Sequence, residues 1–222
     1  MIKKIVVLLA GILLIYCSVR SENGIHITSI ELLTTGYDRS SGKIELSNYM
    51  LNICTMIIYI SVIDRAISST FKLRNYIFTR GGHKKLVMSL MKTAFQAILA
   101  ILIVKQIIYL IFFAISTSFT QFYVYDMLST LLTLSIIALV LIVTKLNGMR
   151  EKLSFFLILC ITIISQYMSY TYPFFSIVII ASAAWEGMKF WMIIYKSLII
   201  LTFSYIVIML WTPDQLMGGV EE

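Results

Sequence analysis

The sequence predicts an all-α, polytopic membrane protein with six transmembrane helices. Hydrophobic residues make up 59% of the 222 residues, only 13% are charged, and the mean hydropathy is +0.92. So few polar residues would not cover the surface of a water-soluble domain of this size. Several apolar runs also approach the roughly 20 residues that a helix needs to cross about 30 Å of hydrocarbon. Because prolines and glycines are few and no internal repeat is present, residues 1–222 are predicted to form one transmembrane domain.

The N-terminal part contains one short apolar run and one polar segment. The first predicted span, Ile5–Cys17, follows Lys3 and Lys4 and is short for a transmembrane helix. We interpret it as a retained signal anchor, because the small-x-small pattern of a cleavage site is missing, with a cleaved signal peptide as the alternative. Residues 18–47 are polar and carry turn signals such as Ser41-Gly42, and their length permits a small external subdomain.

Five further spans are predicted along the chain. They lie at Asn48–Ile63, Thr93–Ser116, Met127–Thr144, Leu153–Ser169 and Trp191–Trp211. Between the last two lies Phe174–Ala184, an apolar run of eleven residues that is too short to cross a bilayer. Pro173 precedes it, and we predict a short helix that either enters the bilayer partway or lies on its outer face.

The distribution of lysine and arginine predicts the orientation. With both termini in the cytoplasm, twelve cations lie on the inside, five on the outside, and Lys105 lies within the third span. Because cytoplasmic flanks carry the excess of positive charge, this orientation is favoured over the inverted one. The net charge of +7 is then a matter of topology and of contact with anionic lipid headgroups, so it gives no indication of nucleic-acid binding.

Motifs for catalysis, nucleotide binding and metal binding are missing from the sequence. There is no G-x-x-x-x-G-K-[ST] loop, no H-E-x-x-H motif and no G-x-S-x-G motif. The two histidines, His26 and His83, fall on opposite sides of the membrane in the predicted topology and would not share a metal ion. We therefore expect no catalytic residue, metal ligand or cofactor site in this chain.

The segment 64–92, between the second and third predicted spans, is basic and aromatic. Helical periodicity from Ile67 to Arg80 predicts two apolar stripes. One stripe contains Ile67, Phe71 and Phe78, and the nearly opposite one contains Leu73, Tyr76 and Ile77. Two stripes indicate a helix held between the membrane domain and a protein groove, and Gly81-Gly82 should end that helix. The alternative is a basic loop held against lipid headgroups.

The same segment carries a resemblance to a known family. An aromatic residue and an arginine precede a turn, basic residues and an apolar run that ends in lysine. These positions are Tyr76, Arg80, Gly81, Gly82, Lys84, Lys85 and Lys92. Together with six spans and a short external helix, the pattern resembles the permease subunits of bacterial ABC-type exporters. It is most similar to small Gram-positive permeases for lantibiotics, bacteriocins and phenol-soluble modulins.

The resemblance implies ATP-driven export of hydrophobic or amphipathic peptides, or immunity to them, in the bacterial plasma membrane. The implied partners are a cytoplasmic ABC ATPase that binds ATP and Mg²⁺, a second permease half, homologous or identical, and membrane lipid. A coupling helix would contact the ATPase. The residues expected to make this contact are Phe71, Arg74, Tyr76, Ile77, Phe78, Arg80, Gly81, Gly82, Lys84 and Lys85. The alternative function is a stand-alone membrane immunity or scaffold protein without an ATPase.

Lys105 and Gln106 are polar residues near the centre of the third predicted span. A cation at that depth costs roughly a few kcal/mol or more unless it faces water or a partner. We therefore expect the two residues on the translocation path or at the subunit interface, where Lys105 would attract a carboxylate of the substrate or of the partner subunit. The alternatives are a lysine that snorkels outward and one that is paired inside the bundle without a role in transport.

Overall fold

The computed structural model describes residues 37–38, 43–44, 46–115, 124–169, 172 and 189–210. Its five helices are α1 (Leu46–Phe71), α2 (Arg74–Ile115), α3 (Val124–Leu146), α4 (Glu151–Ser169) and α5 (Lys189–Leu210). Two short strands, β1 (Tyr37–Asp38) and β2 (Lys43–Ile44), pair antiparallel ahead of α1. Apart from this strand pair, the prediction of an all-helical fold is confirmed. The six-span topology is not confirmed, because the first predicted span, Ile5–Cys17, lies outside the described residues, and three of the described helices are long and apolar enough to be spans. The predicted short helix Phe174–Ala184 also lies outside the described residues.

Among the described residues, three helical segments are long and apolar enough to cross a membrane. They are Ile53–Phe71, Arg74–Ile107 and Met127–Leu146, and α5 contributes a shorter apolar segment, Ile193–Met209. The segment in α2 has 34 residues and is interrupted at Gly82, and its part from residue 83 to residue 107 alone is about 38 Å long, whereas the hydrocarbon core is about 30 Å thick. Part of α2 must consequently extend beyond the hydrocarbon. These segments suit the chain to association with a membrane.

The central element of the bundle is α3. It packs against each of the other four helices, and 67% of its membrane segment is buried, compared with 39% for the segments in α1 and α2. Leu134 and Leu141 of α3 belong to one buried core with Ile60 of α1 and Leu90 of α2. Apolar residues occupy every face of α3, which is the composition expected of a helix that is surrounded by others.

The boundary between α1 and α2 differs from the sequence-based prediction. The helix predicted to end at Ile63 continues to Phe71, and the single helix predicted from Ile67 to Arg80 is wrong, because a turn at Lys72-Leu73 divides it. No glycine or proline lies between Ile63 and Phe71, and the polar residues in this stretch do not by themselves end a helix. The predicted break at Gly81-Gly82 is confirmed at Gly82, where non-helical backbone angles interrupt α2.

The later helices agree with the predicted spans to within three residues at each end. The connection between α3 and α4 is shorter than the predicted loop 145–152. The N–H of Met149 donates to the carbonyl of Thr144 and the N–H of Gly148 donates to the carbonyl of Lys145, both at 3.0 Å. This is the Schellman pattern, and the φ of 72° at Gly148 is the left-handed conformation that it requires.

The turn between α1 and α2 and the turn between α3 and α4 lie at the same end of the bundle, because Lys145 at the end of α3 contacts Asp64 near the end of α1. The last turns of α5 lie at this end of the bundle as well, since the imidazole of His83 lies against the backbone of Val207 and Ile208. Ten of the eighteen lysines and arginines belong to this basic end. They are Arg65, Lys72, Arg74, Arg80, Lys84, Lys85, Lys92, Lys145, Arg150 and Lys152.

Candidate functional site

The first turns of α2 form a short helix, residues 74–81, at the basic end. It begins after the turn at Lys72-Leu73 and ends at Gly82, whose φ of 69° and ψ of −173° lie in a region that essentially only glycine occupies. A Cβ atom added to Gly82 would meet no atom within 4 Å. Glycine is therefore needed at this position for its backbone conformation and not for lack of space.

The short helix presents an aromatic ring beside positive charge. Tyr76 is 56% exposed, and Leu73, just before the helix, is 57% exposed. The guanidinium carbon of Arg80 lies 4.3 Å from the ring centroid of Tyr76, and that of Arg74 lies 5.0 Å from the ring centroid of Phe71. Both are cation–π contacts. The first holds the exposed ring against a cation, and the second ties the start of the short helix to the end of α1.

The ten residues predicted to contact an ATPase divide into an exposed and a partly buried group. The exposed residues are Tyr76, Arg80, Gly81, Gly82, Lys84 and Lys85, and the partly buried ones are Phe71, Arg74, Ile77 and Phe78. The predicted stripes are wrong for Ile77, which packs against the core as Phe71 does and not on the exposed side with Tyr76. The turn at Lys72-Leu73 changes the helical phase, so one period of 3.6 residues does not continue through it.

Behind the short helix, the ammonium group of Lys145 joins three helices. Lys145 is only 3% exposed, and its Nζ lies 2.8 Å from Oδ1 of Asp64 in α1. The same Nζ donates a hydrogen bond of 2.6 Å to Oγ of Ser68, and Oε1 of Glu151 in α4 is 3.9 Å away. Asp64 and Ser68 are four residues apart and share one face of α1. A lysine in the last turn of α3 is also favoured by the helix dipole.

Hydroxyl groups extend this network at the basic end. Oγ1 of Thr144 in α3 lies 2.5 Å from Oγ of Ser154 in α4, and both side chains are buried. On the other side, the hydroxyl of Thr70 at the end of α1 donates to the hydroxyl of Thr93 in α2 at 2.9 Å. Polar contacts therefore connect α1 to α2, α1 to α3 and α3 to α4 within the same region.

Two more buried lysines meet on α3, farther from the basic end. Lys105 of α2 is 7% exposed and donates to Oγ1 of Thr130 at 2.7 Å. Lys196 of α5 is 0% exposed and donates to Oγ of Ser129 at 2.9 Å and to Oγ1 of Thr133 at 2.8 Å. Hydroxyl oxygens on successive turns of α3 thus hold two cations within an otherwise apolar bundle, where a charge without polar ligands is costly.

Lys105 therefore lies between two helices of its own chain and does not reach outward, which is the arrangement of the paired alternative. Its position on a translocation path or at a subunit interface stays a prediction. Gln106 is partly buried, and its Nε2 has no hydrogen-bond partner among the described residues.

Lys196 was predicted to be an external cation but is buried against α3, and Lys145 was predicted to lie in a loop but lies in the last turn of α3, where it contacts Asp64 and Ser68. Lys196 had the same signal as Lys105, a cation within an apolar run, whereas nothing local pointed to the pairing of Lys145 with Asp64.

A cavity of about 170 Å³ opens between α2, α3 and α5. Its lining is mostly apolar and includes Met91, Ile98, Ser135, Leu139, Ile200 and Ser204. Ligand pockets commonly enclose about 300–1,000 Å³. The cavity is therefore too small for a peptide or a drug-sized substrate in this conformation, and neither Lys105 nor Lys196 is among its lining residues.

The fold and these contacts define a helical bundle that has three helices suited to crossing a membrane and that buries lysines in and against its central helix. Comparisons with models of protein families, with curated proteins and with solved structures find no match for this chain. Within the described ranges, no group of three or more His, Cys, Asp or Glu residues is placed to hold a metal ion. Function must therefore be argued from the geometry of this chain.

Proposed function

We propose that this chain is the transmembrane subunit of an ATP-driven ABC exporter for hydrophobic or amphipathic peptides, serving toxin export or immunity. The observation that carries the proposal is the short helix 74–81. It links two helices that are suited to crossing a membrane, it ends in a conformation specific to glycine, and it exposes Tyr76 against Arg80. A helix of this kind can sit in a groove of an ATPase and convert closure around ATP into movement of the spans.

In this proposal the basic end faces the cytoplasm, as does each terminus of the chain. The clustering of ten of the eighteen cations at one end supports this orientation, because cytoplasmic flanks of transmembrane helices are enriched in Lys and Arg. The partner ATPase binds ATP and Mg²⁺. A second permease half, homologous or identical, completes the translocation pathway in the bacterial plasma membrane.

The exposure of Tyr76 sets the expected size of the ATPase contact. An aromatic side chain buries roughly 150–250 Å² when it is fully covered. Because 56% of Tyr76 is exposed, docking would remove about 100 Å² from water, which is worth about 2.5 kcal/mol at ~25 cal/mol per Å². Leu73 has a similar exposed fraction and adds to this contact. Loss of the Tyr76 contact alone should weaken binding by about 50-fold to 100-fold.

The test is a purification of the tagged chain from its native cell in a mild detergent. Co-purifying proteins are identified by mass spectrometry and assayed for ATP hydrolysis. The wild type is compared with the double variant Leu73→Ser/Tyr76→Ser, which keeps every basic residue. The matched control is Met88→Ser, because Met88 is equally exposed at 57% but lies beyond the kink at Gly82. We expect a stoichiometric ATPase with the wild type and the control, and its loss from the double variant.

A stand-alone immunity or scaffold protein without an ATPase is the alternative. Exposed tyrosine and basic side chains also suit a membrane interface with anionic headgroups. Under that function, the double variant should behave as the wild type, since attraction to headgroups depends on charge. Recovery of the wild type without an ATPase, under conditions that preserve a known transporter, would reject the exporter.

A further inference from the structure

We propose that Asp64 and Lys145 are positioning residues that form a charge latch between the base of the short helix and the α3–α4 pair. In the latched state, which is the observed one, Lys145 pairs with Asp64 of α1. In the released state, Lys145 pairs with Glu151 of α4 and α1 is free to move. The role of the latch in transport rests on the proposed function, whereas its presence in the resting protein does not.

Asp64 is located close to the base of the short helix. Asp64 lies seven residues, about two helical turns, before the end of α1, and therefore about 10 Å from the turn that leads to the short helix. The contacts of Thr70 with Thr93 and of Arg74 with Phe71 join the short helix, the end of α1 and the start of α2. These elements should move as one unit. The salt bridge to Lys145 then links this unit to α3.

Lys145 has two carboxylates within 4 Å, on two different helices. Oδ1 of Asp64 lies at 2.8 Å and Oε1 of Glu151 at 3.9 Å from the same Nζ. The lysine side chain is only 2% exposed, so loss of its single close carboxylate would leave a buried charge, which is strongly unfavourable. Glu151 removes this penalty, because Lys145 can exchange partners when α1 withdraws. The arrangement is therefore bistable, as a transmission element requires.

The remaining polar contacts decide which helices separate. The bond between Thr144 and Ser154 and the short connection through Gly148 hold α3 and α4 together, and neither involves α1. Exchange of Lys145 from Asp64 and Ser68 to Glu151 thus breaks the polar contacts of Lys145 with α1 and keeps α3 and α4 paired. Ile67 lies three residues after Asp64 on the same side of α1 and is 0% exposed, so it would become accessible in the released state.

The test measures maleimide labelling of Ile67→Cys in the full-length protein with its co-purified ATPase, after Cys17, Cys54 and Cys160 are replaced by alanine. We expect slow labelling at rest and labelling faster by roughly tenfold or more in the presence of ATP. In the Asp64→Asn background, labelling should be fast with and without ATP. In the Asp64→Glu background, which restores a carboxylate, it should again be slow at rest.

Glu151→Gln separates a latch from a merely structural ion pair. Glu151 is 61% exposed, so this variant should fold even if Asp64→Asn does not. Labelling at rest should stay slow, and the increase with ATP should be lost, because the released state has no carboxylate for Lys145. A wild-type response to ATP in Glu151→Gln, or slow resting labelling in a folded Asp64→Asn protein, would overturn the latch.

Failure of the proposed exporter function and failure of the latch give different experimental results. If the wild type co-purifies with no ATPase, the exporter proposal falls, yet the resting comparison of wild type, Asp64→Asn and Asp64→Glu still tests whether the pair holds α1 closed. If the ATPase is present and active but Ile67→Cys labels at one rate in all nucleotide states, the proposed function stands and the latch is rejected.

Discussion

Gly82→Ala should destabilise the protein by about 1–3 kcal/mol, because φ of 69° with ψ of −173° is a conformation that residues with a Cβ hardly populate. Steric crowding does not contribute, since no atom lies within 4 Å of the added Cβ. For a chain of this length, each kcal/mol lowers Tm by roughly 2–4 °C. Alanine also favours a helix over glycine by about 1 kcal/mol, so the variant can instead straighten α2 and reorient the short helix.

Gly81→Ala is the matched control, because its cost has another origin. The added Cβ would overlap Cδ of Lys85 and would lie 2.8 Å from its Cβ and 2.9 Å from its Cγ. Lys85→Ala removes Cδ and Cγ but keeps Cβ, so it should relieve part of the cost of Gly81→Ala, but none of the cost of Gly82→Ala. Thermal unfolding of Gly81→Ala and Gly82→Ala, each with and without Lys85→Ala, is measured in one detergent against wild type and Lys85→Ala alone, and ATPase recovery reports on the short helix. A Gly82→Ala protein with wild-type Tm and wild-type ATPase recovery, or one rescued by Lys85→Ala, would refute this reasoning.

Three further predictions concern single residues in α2, α3 and the turn that follows α3. Lys105→Met should leave expression intact and impair export. The control Lys92→Met changes an exposed site and should not impair export. Unchanged export of labelled peptide by Lys105→Met would remove Lys105 from the mechanism. Leu134→Ala should cost about 2–5 kcal/mol in thermal unfolding, because Leu134 is fully buried in the central helix. Gly148→Ala should cost roughly 1–2 kcal/mol in the same assay because φ is 72°, and Gly148→Asn should cost less; equal losses would argue against the left-handed cap.

The candidate site could be predicted from the sequence only where the signal was local. The break at Gly82 and the exposed aromatic at Tyr76 were both anticipated, since a glycine pair after an aromatic and basic stretch is a signal carried by neighbouring residues. The side of the helix on which Ile77 lies was not predicted, because the turn at Lys72-Leu73 contains no glycine or proline that would indicate a turn. A two-residue shift in helical phase is enough to move a side chain from the exposed to the core side.

Burial of the cations was likewise beyond the sequence. Removal of Lys196 from the external set leaves four cations there against twelve, so the bias that predicts the orientation becomes somewhat stronger. The apolar run around Lys196 is a local signal that this lysine is buried. Its hydrogen-bond acceptors could not be predicted from the sequence, because Ser129 and Thr133 lie 67 and 63 residues away along the chain.

Composition and apolar run length by themselves determined that this chain is helical, that its helices are suited to a membrane, and where α3, α4 and α5 lie to within a few residues. These properties follow from local terms, the transfer of side chains out of water and the satisfaction of backbone hydrogen bonds within a helix. Only the tertiary structure decided that Lys145 reaches Ser68 and Asp64, since residues 77 positions apart meet solely through the packing of α1 on α3. The period of a helix specifies which residues share a face, and the packing of neighbouring helices decides what that face contacts.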